Sequence, residues 1–444
     1  MAIIGTIGLA LAIIIIITLS FKGLNMVIAA PLSALIIIIS NHMALFDSLI
    51  GQEHSYMSGL AGFLIKNFAI FLMGSILGQF MDKSGATISI SETLLKKIGV
   101  ESPYRVLVAL TLIGALLTFG GISIFVVFFT LIPLARPIFK RLDINWSLVS
   151  IPLYLGAGTF TMSMIPGSPS IQNAIPTSVL GTTLMAAPIL GIVGTIVILV
   201  FGLWYMKYAL NKSISNGEHF YSYLEGKTII EEKQNEKTSS KNIPSFLTSI
   251  TPLVVLILLI MGLPKINNII LIALATSIFL CSLLFRNFID NQKQVINNGT
   301  MGAVSSAFGA ASAVAFGSVL ASAPTFSSVQ KALLKIPGPP LISLAITTAI
   351  LSAVMAASGA IGTVVTHFVG PYLAMGIPAD VIHRVVVIGG GALTVVPQSG
   401  AVITFNSVSG LDFKHGFKEA FIVSNVGFIL SLIVVVIVAQ FFFI

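Results

Sequence analysis

The sequence predicts an all-α polytopic membrane protein made of two inverted-topology repeats, each with a re-entrant hairpin and a broken transmembrane helix. Three observations predict this: the composition, the placement of lysine and arginine, and a set of internal echoes that recur in order. Of 444 residues, 56% are hydrophobic and 9% charged, against about 25% charged in a soluble domain. No soluble core needs that much apolar surface, so lipid must solvate much of it. The run from Ala2 to Leu19 lacks a basic leader and a small-residue cleavage site, and is expected to be a first span rather than a removed signal. A single cysteine, Cys281, excludes a disulfide framework and a cysteine-based metal cluster. The net charge of +8 is explained by positive residues gathered in cytoplasmic loops. There is no aromatic–basic interleaving of the kind that binds nucleic acid.

A span needs about 20 mainly apolar residues. Simple spans are expected near 2–20, 24–41, 57–81, 147–170, 178–208, 246–263, 267–285, 297–322, 381–408 and 420–443. Two further stretches, 106–139 and 341–376, are interrupted near their middles by Thr118-Phe119-Gly120-Gly121-Ile122-Ser123 and by Ala356-Ala357-Ser358-Gly359. Each is expected to be a re-entrant hairpin, with glycine where the backbone turns sharply. With the N-terminus outside and both hairpins returning to their own side, 18 lysines and arginines fall inside and 4 outside, with Lys66 left within a span. That asymmetry obeys the positive-inside rule. A full crossing by either hairpin would invert everything after it and spoil the count. The expected organisation is a first repeat over 1–210, a polar cytoplasmic linker over 211–245 and a second repeat over 246–444.

The two halves echo one another. Gly74-Ser75-Ile76-Leu77 returns as Gly317-Ser318-Val319-Leu320, and Leu94-Leu95-Lys96 as Leu333-Leu334-Lys335. Gly121 precedes Pro133 by the interval that separates Gly359 from Pro371. Most distinctive, Ser163-Met164-Ile165-Pro166-Gly167-Ser168 aligns with Thr394-Val395-Val396-Pro397-Gln398-Ser399. The first half starts outside and the second inside, so the repeats are inverted. Inverted repeats give a transporter two nearly equivalent states open to opposite sides.

The prolines of the last echo fall inside apolar spans, where each removes a backbone donor and frees carbonyls and amides that must find partners. Paired breaks of this kind point to a binding site at mid-membrane depth. Half-helix N-termini there would turn N–H groups and partial positive charge toward a small organic anion. The expected substrate site comprises Thr118, Gly120, Gly121 and Ser123 at the first tip and Ser163, Gly167, Ser168 and Ser170 in the first broken span. Ser358, Gly359 and Thr363 at the second tip and Thr394, Gln398, Ser399 and Gly400 in the second broken span complete it. Arg384, which opens the latter span, is placed to neutralise a carboxylate or to anchor the span at the outer interface. Asp82 and His367 are candidates for carrying a coupling proton, because intramembrane ionisable residues are costly unless they work. Plainer alternatives are a solvated helix end for Asp82 and a hydrogen-bonded packing residue for His367. No metal ligand set and no cofactor are expected.

These residues carry a family resemblance. The stretches GSILGQFMDKSGA and HRVVVIGGGALTVVPQSGAVIT, with the repeat, resemble the gluconate permease family of proton symporters, within the wider ion-transporter superfamily, over essentially the whole chain. The resemblance implies uptake of gluconate or related hydroxy- and keto-carboxylates into a bacterial cell across its plasma membrane. It also implies a homodimer, held by a scaffold domain beside an elevator-type transport domain. The likeness departs at Gln398, where family members often carry histidine, and near Thr394, where they often carry aspartate. Another short hydroxy acid, such as 3-hydroxybutyrate, or a keto acid therefore stands beside gluconate. Sodium coupling, an anion channel and an intramembrane protease using Ser168 and His367 are the competing readings. The duplicated serine motif argues against a single nucleophile.

Overall fold

The computed structural model describes residues 2–22, 24–90, 93, 102–119, 124–168, 170–223, 243–263, 266, 268–326, 328 and 339–443. The described residues are mostly helical, and no strand occurs among them. Among the described residues, five stretches are long and apolar enough to cross a membrane: Ile3–Ser20, Tyr56–Lys83, Pro188–Ser215, Gln292–Ser322 and Phe413–Phe442. Helix α1 (Ala2–Phe21) shows why lipid is its solvent. Leu9, Ala12 and Ile16 are buried on one face, while Ile3, Ile7 and Ile14 stand 76, 60 and 59% exposed on the other. Helices α2 (Met26–Ser40) and the short α3 (Leu45–Ile50) lead to α4 (Tyr56–Lys83). A reciprocal capping box between Ser55 and Ser58 starts α4.

Two helices, α5 (Pro103–Phe119) and α6 (Ile124–Arg141), stand on either side of the expected first tip, whose residues 120–123 lie outside the described residues. A 3₁₀ turn (Trp146–Val149), α7 (Ser150–Gly158), α8 (Phe160–Ser163) and α9 (Ile171–Leu180) follow, then α10 (Pro188–Ser215). Here the boundaries differ from expectation. The first broken element extends past residue 170 through α9, and the next long helix begins at Pro188 rather than at 178. The cause is local: Gly181 adopts a left-handed conformation (φ 66°) that ends α9, and Pro188 restarts the helix at its first turn.

Helix α10 continues through residues 211–215 of the expected linker. Beyond it, Glu218 fastens the following turn to the core, accepting from Asn145 (2.7 Å), Ser213 (2.7 Å) and Tyr223 (2.8 Å). Burial works to raise the Glu218 carboxyl, but these donors, with Asn216, outweigh it and hold it below the usual range. Residues 224–242 lie outside the described residues.

The second half comprises α11 (Phe246–Gly262), α12 (Ile269–Leu284), α13 (Gln292–Ser322), α14 (Pro340–His367), α15 (Val369–Ala374), α16 (Ala379–Gly391), α17 (Gly400–Ser409) and α18 (Phe413–Phe421). A π-helical turn, Ile422–Val426, then leads into α19 (Gly427–Phe442). Cys281 is buried in α12. Helices α4 and α13 run antiparallel in contact. A Cβ on Gly59 would meet Ser318, one on Gly299 would meet Ile76, and one on Gly302 would meet Ser75. Small residues let the two backbones approach closely, as membrane helices require when lipid supplies no hydrophobic drive.

Helix α14 is two arms joined at Ala356, whose backbone (φ 57°, ψ 171°) is not helical. The turn therefore falls at the first residue of the expected Ala356–Gly359 interruption, two residues before the Ser358 assigned to the tip. The arms lie side by side. Neighbouring Gly389 and Gly390 of α16 approach Thr348 on one arm and Ile361 on the other, at 3.1 and 2.5 Å from an added Cβ. In one straight helix those residues would stand about 20 Å apart. The first hairpin docks alike: Gly156 of α7 meets Thr111 of α5, and Gly158 meets Ile124 of α6. Ala356 occupies a region that only glycine visits without a cost of about 1–3 kcal/mol. Ala356→Gly is therefore expected to raise the melting temperature of the detergent-purified protein by ~1–3 °C, and Ala356→Val to lower it. A lower value for the glycine variant would remove the strain assigned to this turn.

Candidate substrate site at two broken helices

The first break spans Met164 to Ser170. Helix α7 ends at Thr159 (φ −120°, ψ −105°), and the single turn α8 precedes the unwound segment. Unwinding frees carbonyls, and the local side chains take them up. Ser168 Oγ donates to the Thr161 carbonyl (2.5 Å) and Ser170 Oγ to that of Met162. Ser170 also caps α9, accepting from the Asn173 amide at 3.2 Å. Gly167 turns the chain at φ 79°, where a side chain would be strained, and its N–H reaches the Leu184 carbonyl at 2.9 Å.

Arg384 completes this break from the other half of the molecule. It is fully buried on α16. Nε and Nη2 donate to Ala186 (3.0 and 2.6 Å), and Nη2 also faces Leu184 (3.4 Å). Nη1 faces the carbonyls of Ser163 (3.3 Å) and Met164 (3.4 Å) and Oδ1 of Asn173 (3.2 Å). The planar fork of five donors is thus spent on the loop ends of the first break. Arg384 therefore clamps α16 to the loop ends of the first break from within the protein.

The second break spans Ala392 to Ser399. Thr394 Oγ1 returns to the Gly391 carbonyl at 3.0 Å. Asn425, which the π-helical turn carries, grips Val395 with both ends of its amide: Oδ1 accepts from Val395 N (3.1 Å) and Nδ2 donates to Val395 O (2.9 Å). Ser399 caps α17, accepting from Val402 N at 3.3 Å. Gln398 ties the break to the second hairpin, its Nε2 donating to Ala353 O at 3.1 Å. That bond fixes the amide orientation and leaves Oε1 buried without a partner. Gly400 packs the start of α17 on Ala310 of α13.

Of the expected tip residues, Thr118 is buried and its hydroxyl meets that of Thr161 at 2.7 Å, joining the first hairpin to the first broken helix. Gly120, Gly121 and Ser123 lie outside the described residues. Ser358, Gly359 and Thr363 sit on the second arm of α14, with Ser358 exposed and the other two half-buried. Asp82 stands apart from both breaks, about half exposed at the end of α4 and 3.8 Å from Lys83, the setting of a solvated helix-terminal carboxylate. His367 is the last residue of α14, and its side chain lies outside the described residues. Sequence reasoning missed Thr161, Asn173, His383 and Asn425. A signal existed for two of them: His383 and Asn425 are polar residues inside apolar spans, which is itself grounds for suspicion.

A family model described as GntP family permease matches residues 1–441 of this chain. The chain belongs to the GntP permease family. The permease is 29% identical over 445 residues to an uncharacterized transporter, YxjC, of Bacillus subtilis, covering 91% of this chain and 92% of that one. It is also 28% identical over 211 residues to an uncharacterized transporter of Haemophilus influenzae, covering 47% of this chain and 45% of the other. The permease is accordingly a multi-pass membrane transporter and not an enzyme.

Proposed function

We propose that this permease takes up a small hydroxy- or sugar-acid carboxylate, gluconate or a close relative, by proton symport across the bacterial plasma membrane. The observation that carries the proposal is the pair of serine-capped half-helices, α9 and α17, each opening at an unwound segment. Each has ten residues, and each ends at a left-handed glycine, Gly181 and Gly410. Helix N-termini favour the carboxylate, and the unpartnered Gln398 Oε1 supplies an acceptor for a hydroxyl on the same solute.

Inverted repeats are part of the proposal, and three pairings support them. Ser75 and Ser318 are separated by 243 residues, and so are Gly59 and Gly302. The contacts Gly59–Ser318 and Gly302–Ser75 are therefore the pair that a two-fold axis between the halves would exchange. The hairpins dock through Thr111 and Ile124 in one half and Thr348 and Ile361 in the other, both pairs offset by 237. The capped half-helices are the third pair. Arg384 joins α16 to the first break, which suits a transport domain that moves both breaks as one elevator-like body against a scaffold, in the homodimer the family likeness implies. Sodium would need carbonyl oxygens. Those of the first break already receive Arg384, Ser168 and Ser170, which favours the proton.

Uptake into proteoliposomes tests the proposal. Labelled gluconate, 3-hydroxybutyrate and succinate are offered under an imposed pH gradient or an imposed sodium gradient. One of the first two is expected to accumulate with the pH gradient alone. Accumulation only with sodium would replace the proton, and no accumulation under either gradient would remove the symport reading.

A further inference from the structure

His383 is a fully buried imidazole whose neutral form is confined to one tautomer beside the first break. Asn173 sets that tautomer. Its Nδ2 donates to the carbonyls of Ser168 and Leu184, both at 2.9 Å, so its Oδ1 must face the other way. There Oδ1 receives Arg384 Nη1 and His383 Nε2, both at 3.2 Å. Nε2 therefore carries hydrogen, and Nδ1 offers a lone pair to the hydroxyl of Thr182 at 2.7 Å. Thr182 lies in the half-exposed turn between α9 and α10. Rotation of its hydroxyl converts it from donor to acceptor, so a proton can settle on Nδ1 with no heavy atom displaced.

We propose that His383 is the proton-binding site of this permease, thermodynamically coupled to the anion at the first break through Asn173. The proposal rests on the proton-symport reading. An imidazolium there would share Asn173 Oδ1 with the Arg384 guanidinium, two cations on one amide oxygen. An anion at the adjoining break relieves that crowding, so each ligand favours the other, and by linkage the two couplings are equal. On its own helix His383 also has Asp380, exposed one turn earlier. Among the described residues, α8, α9, α19 and the turn 181–187 contribute no titratable group. Tyr372 on α15, His367 at the end of α14, and Tyr205, Lys207, Tyr208 and Lys212 toward the far end of α10 complete the set on elements packed against α16.

The test uses the full-length protein in proteoliposomes and in detergent, with whichever of gluconate, 3-hydroxybutyrate and succinate the wild type accumulates. Wild-type affinity is expected to weaken ~tenfold per pH unit above the histidine's titration, as one coupled proton requires. His383→Gln keeps a donor toward Asn173 but cannot titrate. It is expected to bind the anion with a flat pH profile and to exchange labelled for unlabelled anion, yet to fail to accumulate it under a pH gradient. His383→Asn, which keeps an amide beside Thr182, makes the same prediction should the glutamine variant not fold. Proton-driven accumulation with a wild-type pH profile in either variant overturns the assignment to His383 while leaving symport intact. Wild-type accumulation driven only by sodium, or none at all, overturns both.

Discussion

Arg384→Met is expected to abolish transport by preventing the permease from reaching its folded state. The substitution keeps much of the aliphatic bulk and removes every donor. The carbonyls of Ser163, Met164, Leu184 and Ala186 and the Asn173 oxygen would lose a partner inside the protein. Each buried acceptor left unpaired costs about 1–3 kcal/mol. Leu184 O keeps the Gly167 N–H and Asn173 Nδ2, and Asn173 Oδ1 keeps His383 Nε2. The three carbonyls of Ser163, Met164 and Ala186 are orphaned, a large share of the net stability of about 5–15 kcal/mol of a folded protein. The check is size-exclusion chromatography of a fluorescent fusion in mild detergent, where the variant should elute as aggregate. Arg384→Lys brings three donors on a point charge and cannot span both sides of the break. It should give a monodisperse but less stable protein with impaired uptake. A well-folded methionine variant with normal transport would show that the clamp is dispensable.

Gln398→Leu should leave the permease folded and change what it prefers. The variant loses the Ala353 bond and a buried side-chain acceptor that has no partner among the described residues. If that oxygen receives a substrate hydroxyl, wild-type protein prefers 3-hydroxybutyrate to butyrate, and the leucine variant loses ~tenfold of that preference, the worth of about 1.4 kcal/mol. Butyrate itself should be little affected. Competition against labelled substrate reads the ratio directly. An unchanged ratio would detach Gln398 from the hydroxyl and leave it a fastener between break and hairpin.

Much of this architecture was legible before any coordinates. Hydropathy pointed to the five described helices that are long and apolar enough to cross a membrane, and the Pro166 and Pro397 echo pointed to both unwound segments, because proline in an apolar run has few other meanings. The turn of the second hairpin falls at Ala356, the first residue of the expected Ala356–Gly359 interruption and not its glycine, so the chain tolerates strain there. Helix α9 was hidden because Ile171–Leu180 straddles the gap between the expected spans 147–170 and 178–208, where Gln172, Asn173 and Pro176 interrupt the apolar run. The role of Arg384 was out of reach for another reason. Its acceptors are main-chain carbonyls some 200 positions away, and carbonyls carry no signature in a sequence. The same holds for Asn425, whose partner is the backbone of Val395.

That long reach has a consequence for biogenesis. Arg384 follows Ala186 by 198 residues, so the ribosome has long since released the first broken helix when its fastener emerges. At about 5–20 residues per second, the interval is ~10–40 s. During it the nascent segment from Ser163 to Ala186 holds bare carbonyls that hydrocarbon will not accept, and it must wait in water or in the insertion machinery. Insertion of the permease is therefore finished from its C-terminal half backwards.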